Sequence, residues 1–157
     1  MLYCQSIVYL LQMGRKKINS KSKTLDGIKF RSILEADFYT KQKKAKLGMS
    51  YEDWSFEICP LLKRKNTRFF KKHGKNFIES KADVSSITYT PDFVLSKDGE
   101  YMIVVECKGL ANDRYPVIRS LFLRYLEELG VKAYFFEPRY TRHNTEVINK
   151  IKQIINE

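Results

Sequence analysis

The chain has 157 residues, 43% of them hydrophobic and 13% aromatic, and a formal net charge of +11. That length suits one domain with a sizeable core, and that apolar content excludes a disordered chain. Three scattered cysteines, Cys4, Cys59 and Cys107, with His73 and His143, exclude a disulfide framework and argue against a Cys/His zinc site, which suits a reducing, cytoplasmic setting.

The charge is unevenly placed. Residues 1–78 carry 18 Lys/Arg against 6 Asp/Glu, whereas residues 79–157 carry 11 against 12. One half attracts a polyanion and the other holds most of the carboxylates, a division that suits a metal-dependent enzyme acting on nucleic acid as well as a plain basic binder.

Ile7 to Leu11 is apolar but too short to cross a bilayer, and its flanks do not suit a signal peptide. No membrane segment is expected. Residues 1–12 read as an added strand or an upstream extension, and 14–24 (GRKKINSKSKT) as a basic arm, so the folded domain is placed at 25–157.

Asp26-Gly27 signals a turn between Thr24-Leu25 and Ile28-Phe30. A helix follows, with Ser32 as N-cap, Glu35 three residues on as in a capping box, an apolar stripe of Ile33, Leu34, Phe38 and Ala45, and Gly48 as its end. Ser55 to Leu62 reads as an edge or bent strand because of Pro60. Lys63 to Lys75 then packs eight basic side chains, His73 included, around Phe69 and Phe70. A hairpin or loop touching nucleic acid through Lys63, Arg64, Lys65 and Arg68 is expected there, although such charge runs are often only solvated faces.

Ile87 to Leu95 and Tyr101 to Lys108 read as two strands joined by an Asp98-Gly99 turn, with Met102 to Val105 as a buried central run. Tyr115 to Leu129 reads as a helix ended by Gly130, Lys132 to Glu137 as a strand, and Thr145 to Ile155 as an amphipathic helix. The order predicts an α/β sandwich around a mixed sheet.

The chemistry centres on Pro91-Asp92 and Glu106-Cys107-Lys108. An antiparallel hairpin sets Asp92, within the first strand, beside Glu106, near the end of the second. Two carboxylates, waters and a backbone carbonyl such as that of Cys107 make an octahedral site for Mg²⁺. Glu106 and Lys108 share one face of the strand, and Cys107 points into the core. Such a site hydrolyses phosphodiesters, with Lys108 orienting the attacking water or neutralising developing charge.

Thr90-Pro91-Asp92-Phe93-Val94 with Val104-Val105-Glu106-Cys107-Lys108-Gly109 resembles the PD-(D/E)XK nuclease superfamily. The following Gly109-Leu110, Asp113-Arg114 and Ile118-Arg119 are similar to the phage endonuclease I family of Holliday-junction resolvases, and Tyr89 to Val94 also resembles TnsA-type transposon end-cleaving proteins. The resemblance spans about Phe30 to Pro138, with insertions around Lys63–Lys81. It implies a restriction-endonuclease-like mixed sheet flanked by helices, Mg²⁺ or Mn²⁺ dependence, and DNA as substrate, branched DNA above all. It further implies a homodimer of phage or prophage type acting in the host cytoplasm. It also adds Glu35 to Asp92, Glu106 and Lys108 as an active-site residue and metal ligand, although its capping position alone would account for Glu35 and Asp37 competes for the role. Arg114 and Arg119, at the start of the next helix, are candidate phosphate contacts or simply an exposed helix face. A transposase-like or restriction-like cleaving subunit and a non-catalytic nucleic-acid binder are the alternatives.

Overall fold

The computed structural model describes residues 21–97, 100–110 and 112–156. The expected extension 1–12, most of the basic arm and the Asp98-Gly99 turn lie outside them. β1 (Lys23–Leu25) and β2 (Ile28–Phe30) pair antiparallel across Asp26-Gly27, so the last two residues of the expected arm belong to a strand. Both turn residues take positive φ, +52° and +78°, which glycine adopts freely and Asp tolerates.

α1 (Ile33–Lys44) starts where expected, with Ser32 accepting the Glu35 N–H. Its end differs from expectation. Lys46, at φ +56°, donates its N–H to the Lys43 carbonyl while Leu47 donates to that of Gln42, a Schellman closure two residues before Gly48. Ile33 is half exposed and does not join the apolar stripe.

The main sheet is built from β3 (Ser50–Tyr51), β8 (Phe93–Lys97), β9 (Tyr101–Val105) and β10 (Ala133–Phe136), in the order β10-β9-β8-β3. β3 pairs antiparallel with β8, β8 antiparallel with β9, and β9 parallel with β10, so the sheet is mixed. Three small sheets surround it: β1-β2, β4-β7 (Phe56–Cys59 with Ile87–Tyr89) and β5-β6 (Phe69–His73 with Asn76–Ser80). The Ile87–Leu95 run is therefore two strands, β7 and β8, in different sheets. Pro91, which has no N–H for a ladder, stands at the break, and Asp92 lies in the bend before β8 rather than within a strand.

Alternation on β8 and β9 sends side chains to two cores. Phe93, Ile103 and Val105 face Phe30, Ala36 and Phe38 of the β2–α1 region and Ile148 and Ile151 of α3 (Thr141–Asn156). Val94, Met102 and Val104 face Phe56, Ile58, Tyr89 and the α2 (Tyr115–Glu128) residues Phe122 and Leu126. Burying a Phe or Leu side chain contributes about 1.5–3 kcal/mol, so the continuous apolar run of β9 fixes the layering. The result is an α/β fold, a mixed sheet with helices on both faces. α3 begins at Thr141, four residues before the expected Thr145, because its first turn is polar and outside the apolar period. Among the described residues, no helix is long and apolar enough to cross a membrane.

Candidate active site

The register pairs Phe93 with Val105, and one step further it sets Asp92 opposite Glu106. Backbone pairing of β8 with β9 stops there, and Asp92 Oδ2 continues it by accepting the Cys107 N–H at 2.7 Å. On the other side the N–H groups of Glu106 and Lys108 donate to the carbonyls of Phe136 and Pro138, both at 2.9 Å. The 106–108 segment is thus held from two sides, with Glu106 and Lys108 on one face and the Cys107 side chain in the core.

Both carboxylates are almost wholly buried, Asp92 at 1% and Glu106 at 4% exposure, and Glu35 of α1 is close to them at 5%. Buried charge is costly unless it is paired and hydrogen-bonded. Here each oxygen has a partner. Asp92 Oδ1 accepts from Arg31 Nη2 at 2.7 Å. Glu106 Oε2 accepts from the Tyr89 hydroxyl at 2.8 Å and Oε1 from Lys108 Nζ at 3.0 Å. Glu35 accepts from Tyr51 Oη at 2.7 Å, from Ser32 Oγ at 2.8 Å and from the Arg31 N–H at 2.9 Å. Asp37, the competing acid, is bound instead by Lys41 and Asn144, both at 2.7 Å, and does not line the cleft.

The cleft holds about 240 Å³ and is lined by Arg31, Glu35, Asp92, Glu106 and Lys108, among others. A larger hollow of about 390 Å³ lies beside Tyr39 and Lys43, but its one acid, Asp26, is already paired with Lys43, and no chemistry converges there. Burial, and then the charges of Glu106 and Glu35, push the Asp92 carboxyl well above its ordinary range, against the pull of Arg31 and the Cys107 N–H. The same crowding, led by burial, raises the Tyr89 and Tyr51 hydroxyls, so both stay protonated as donors to the glutamates. Lys108 Nζ also lies 4.4 Å from the centre of the Tyr115 ring, a cation–π contact that fixes the ammonium at the rim.

A family model described as "Protein of unknown function (DUF1064)" matches residues 15–150. The chain belongs to the DUF1064 family. No curated protein and no solved structure matches it. The family description states no activity, so the chemistry of this DUF1064 chain rests on its own cleft.

Of the residues expected at the site, Glu35, Asp92, Glu106 and Lys108 line one cleft. The phosphate candidates do not. Arg119 binds Glu137 at 2.9 Å across from Tyr115, and Arg114 is an exposed residue at the start of α2. Lys63, Arg64, Lys65 and Arg68 belong to the β5–β6 hairpin and its approach. There Arg64 donates to the carbonyls of Ala82, Thr67 and Ser80, while Arg68 grips Glu79 through two hydrogen bonds at 2.7 and 2.9 Å. These two arginines brace the hairpin.

Arg31, Tyr51 and Tyr89 are contributors that sequence reasoning missed. They arrive from β3, β7 and the residue after β2; Tyr89 begins the Tyr89–Val94 stretch singled out in the sequence, but not as a site residue. Arg31 also pairs with Glu52 at 2.5 Å and lies 3.9 Å from Glu35.

Two hard carboxylates side by side, with a third in the same cleft, form the donor set that Mg²⁺ or Mn²⁺ takes, and the Asp92 carboxyl is raised by burial first and by the neighbouring Glu106 and Glu35 second. Among the described residues, however, no three His, Cys, Asp or Glu side chains converge as ligands. The fit is to a cation held by Asp92 and Glu106, with the remaining ligands from water or backbone and Glu35 farther out.

Proposed function

We propose that this DUF1064 chain is a metal-dependent endonuclease that hydrolyses DNA phosphodiester bonds at the Asp92–Glu106–Lys108 cleft, in the manner of the PD-(D/E)XK superfamily it resembles. One observation carries the reading: two buried carboxylates opposed across a strand pair where its backbone ladder ends, with a lysine on the same face. A fold gains nothing from burying Asp92 against the like charges of Glu106 and Glu35, whereas a cation bound between them would relieve that repulsion.

Bound by Asp92 and Glu106, a Mg²⁺ or Mn²⁺ ion supplies phosphate neutralisation and a water of lowered pKa. The chain's own groups do the rest. Lys108, held between Glu106 Oε1 and the Tyr115 ring, keeps a fixed positive charge facing the scissile phosphate. Tyr89 holds Glu106 in position, and the Cys107 N–H holds Asp92. Glu35, fixed by Ser32 and Tyr51, is placed to orient a water. Arg31, whose side chain is well exposed, can turn from Asp92 to a phosphate oxygen.

The finer reading rests on the resemblance of Gly109 to Arg119: selectivity for branched DNA such as Holliday junctions, a homodimer that cuts two symmetric strands, and a phage or prophage origin. One observation favours a second reading, a non-catalytic nucleic-acid binder. Arg31 already supplies a cation to Asp92 and Glu35, as a site without metal would require.

The test is cleavage of labelled four-way junction and linear duplex DNA in Mg²⁺, Mn²⁺ or EDTA, with D92N and K108A alongside. The nuclease reading expects metal-dependent cutting, lost in both variants by a factor of roughly 10²–10³ or more, with DNA binding retained. Binding without cutting under every metal supports the binder instead. Equal cutting of junction and duplex would remove branch selectivity alone.

A further inference from the structure

The β5–β6 hairpin has its own side-chain pattern, and the cleft chemistry does not use it. Its strands form a separate two-stranded sheet, and every strand residue except Ser80 is exposed. An isolated hairpin of this kind is marginal by itself. This one is braced by Arg64 on three carbonyls, by the Arg68–Glu79 pair and by the Leu62–Val84 bridge. The bracing holds four large apolar side chains in water: Phe69, Phe70, Phe77 and Ile78, with Phe77 at 74% and Phe70 at 50% exposure.

The register arranges them. Phe70 stands opposite Glu79 and Lys72 opposite Phe77, so Phe70, Lys72 and Phe77 share one face, with Lys72 directly across from one ring and two residues along from the other. Arg68 lies 5.5 Å from the Phe70 ring centre and neutralises Glu79, which is the one acid among residues 63–80 against seven Lys/Arg. Exposed rings at this density are otherwise a liability and mark a binding surface. Two rings set around a lysine on a strongly basic hairpin fit a ligand that presents flat π-faces on an anionic backbone. A second copy of the same hairpin fits poorly, because it brings like charges together.

We propose that the β5–β6 hairpin is a nucleic-acid arm that stacks unpaired bases on Phe70 and Phe77 while Lys72, on the same face, and Lys75, at the turn, take the phosphates. The arm prefers unpaired over fully duplex DNA, because a base inside the duplex offers no free face. This inference stands on the hairpin's residues and does not depend on cleavage at the cleft.

The experiment measures fluorescence anisotropy of the full chain in EDTA with a labelled oligothymidylate and with a blunt duplex of the same length. Chelation separates the result from the nuclease reading, which is judged by cutting. The F70A/F77A double variant is expected to lose about tenfold or more in single-strand affinity. Its duplex affinity, carried by phosphate contacts, should change less than about twofold. F70W/F77W should bind the single strand at least as tightly as the native chain. Unchanged single-strand affinity in F70A/F77A, or an equal loss on both probes, overturns the proposal. So does sedimentation showing a DNA-free dimer that F70A/F77A dissolves, since the rings would then cover each other.

Discussion

At one end of the β8–β9 pair the chain buries charge, and on β5–β6 it exposes rings. Asp92, Glu106 and Glu35 lie at 5% exposure or less, each oxygen satisfied by Arg31, Lys108, a tyrosine, a serine or a backbone N–H. Phe70 and Phe77 lie in solvent on a hairpin that packs on neither core. Both arrangements run against the pattern that makes a chain fold, and both are held in place by groups that could have been spared. The difference fits the two proposed roles. The cleft is assembled from several elements, as the proposed chemistry would require. The hairpin is local and self-braced, as the proposed arm would require.

The contrast breaks first if rings prove equally important in both places. Phe122, fully buried between Phe56 and Tyr89, should cost about 3–5 kcal/mol when changed to alanine, read by urea unfolding. Phe77→Ala should stay within about 0.5 kcal/mol in the same assay. A large loss from Phe77→Ala would mean that the hairpin ring is structural after all.

A smaller effect sharpens the cleft side. The folded-state pKa of Asp92 is raised, so the folded chain keeps a proton that the unfolded chain has released. Metal-free stability should therefore fall as pH rises from the ordinary carboxylate range up to the raised value, and then level off. Asp92→Asn removes the slope. Above that window the metal-free variant should be the more stable protein, by about 1.4 kcal/mol for every tenfold by which folding weakens the acid. The attraction of Arg31 is already contained in the net shift of Asp92 and is not subtracted again. Melting temperatures of both proteins across a pH series in EDTA decide it, and parallel curves would mean that Asp92 titrates normally.

A good part of this comparison could be read from the sequence, and the reasons for the gaps are physical. The continuous apolar run Met102–Val105 and the 14-residue spacing from Asp92 to Glu106 are local signals, and they led to the right strand pair and the right face for Lys108. Pro91 stands at the break between β7 and β8, but periodicity cannot say which partner a strand takes, so Ile87–Leu95 read as one strand. Arg31 and Tyr51 reach the cleft only through tertiary packing, and Tyr89, three residues before Asp92, gave no sign that its hydroxyl would hold Glu106. Arg64 and Arg68, expected as phosphate contacts, are engaged along their own hairpin by backbone carbonyls and by Glu79. Composition sees their charge and not their partners. Lys46 took the left-handed position expected of Gly48, since the helix ended where its carbonyls could be capped rather than where glycine stood.

The most direct test of the central claim is calorimetric titration of Mn²⁺ into the native chain and into D92N and E106Q at neutral pH. A cation site at the cleft predicts saturable binding by the native chain and its loss in both variants, with each still folded by circular dichroism. Absent binding in the native chain, or equal binding in all three, would contradict it and leave Arg31 as the cation for which the cleft was built.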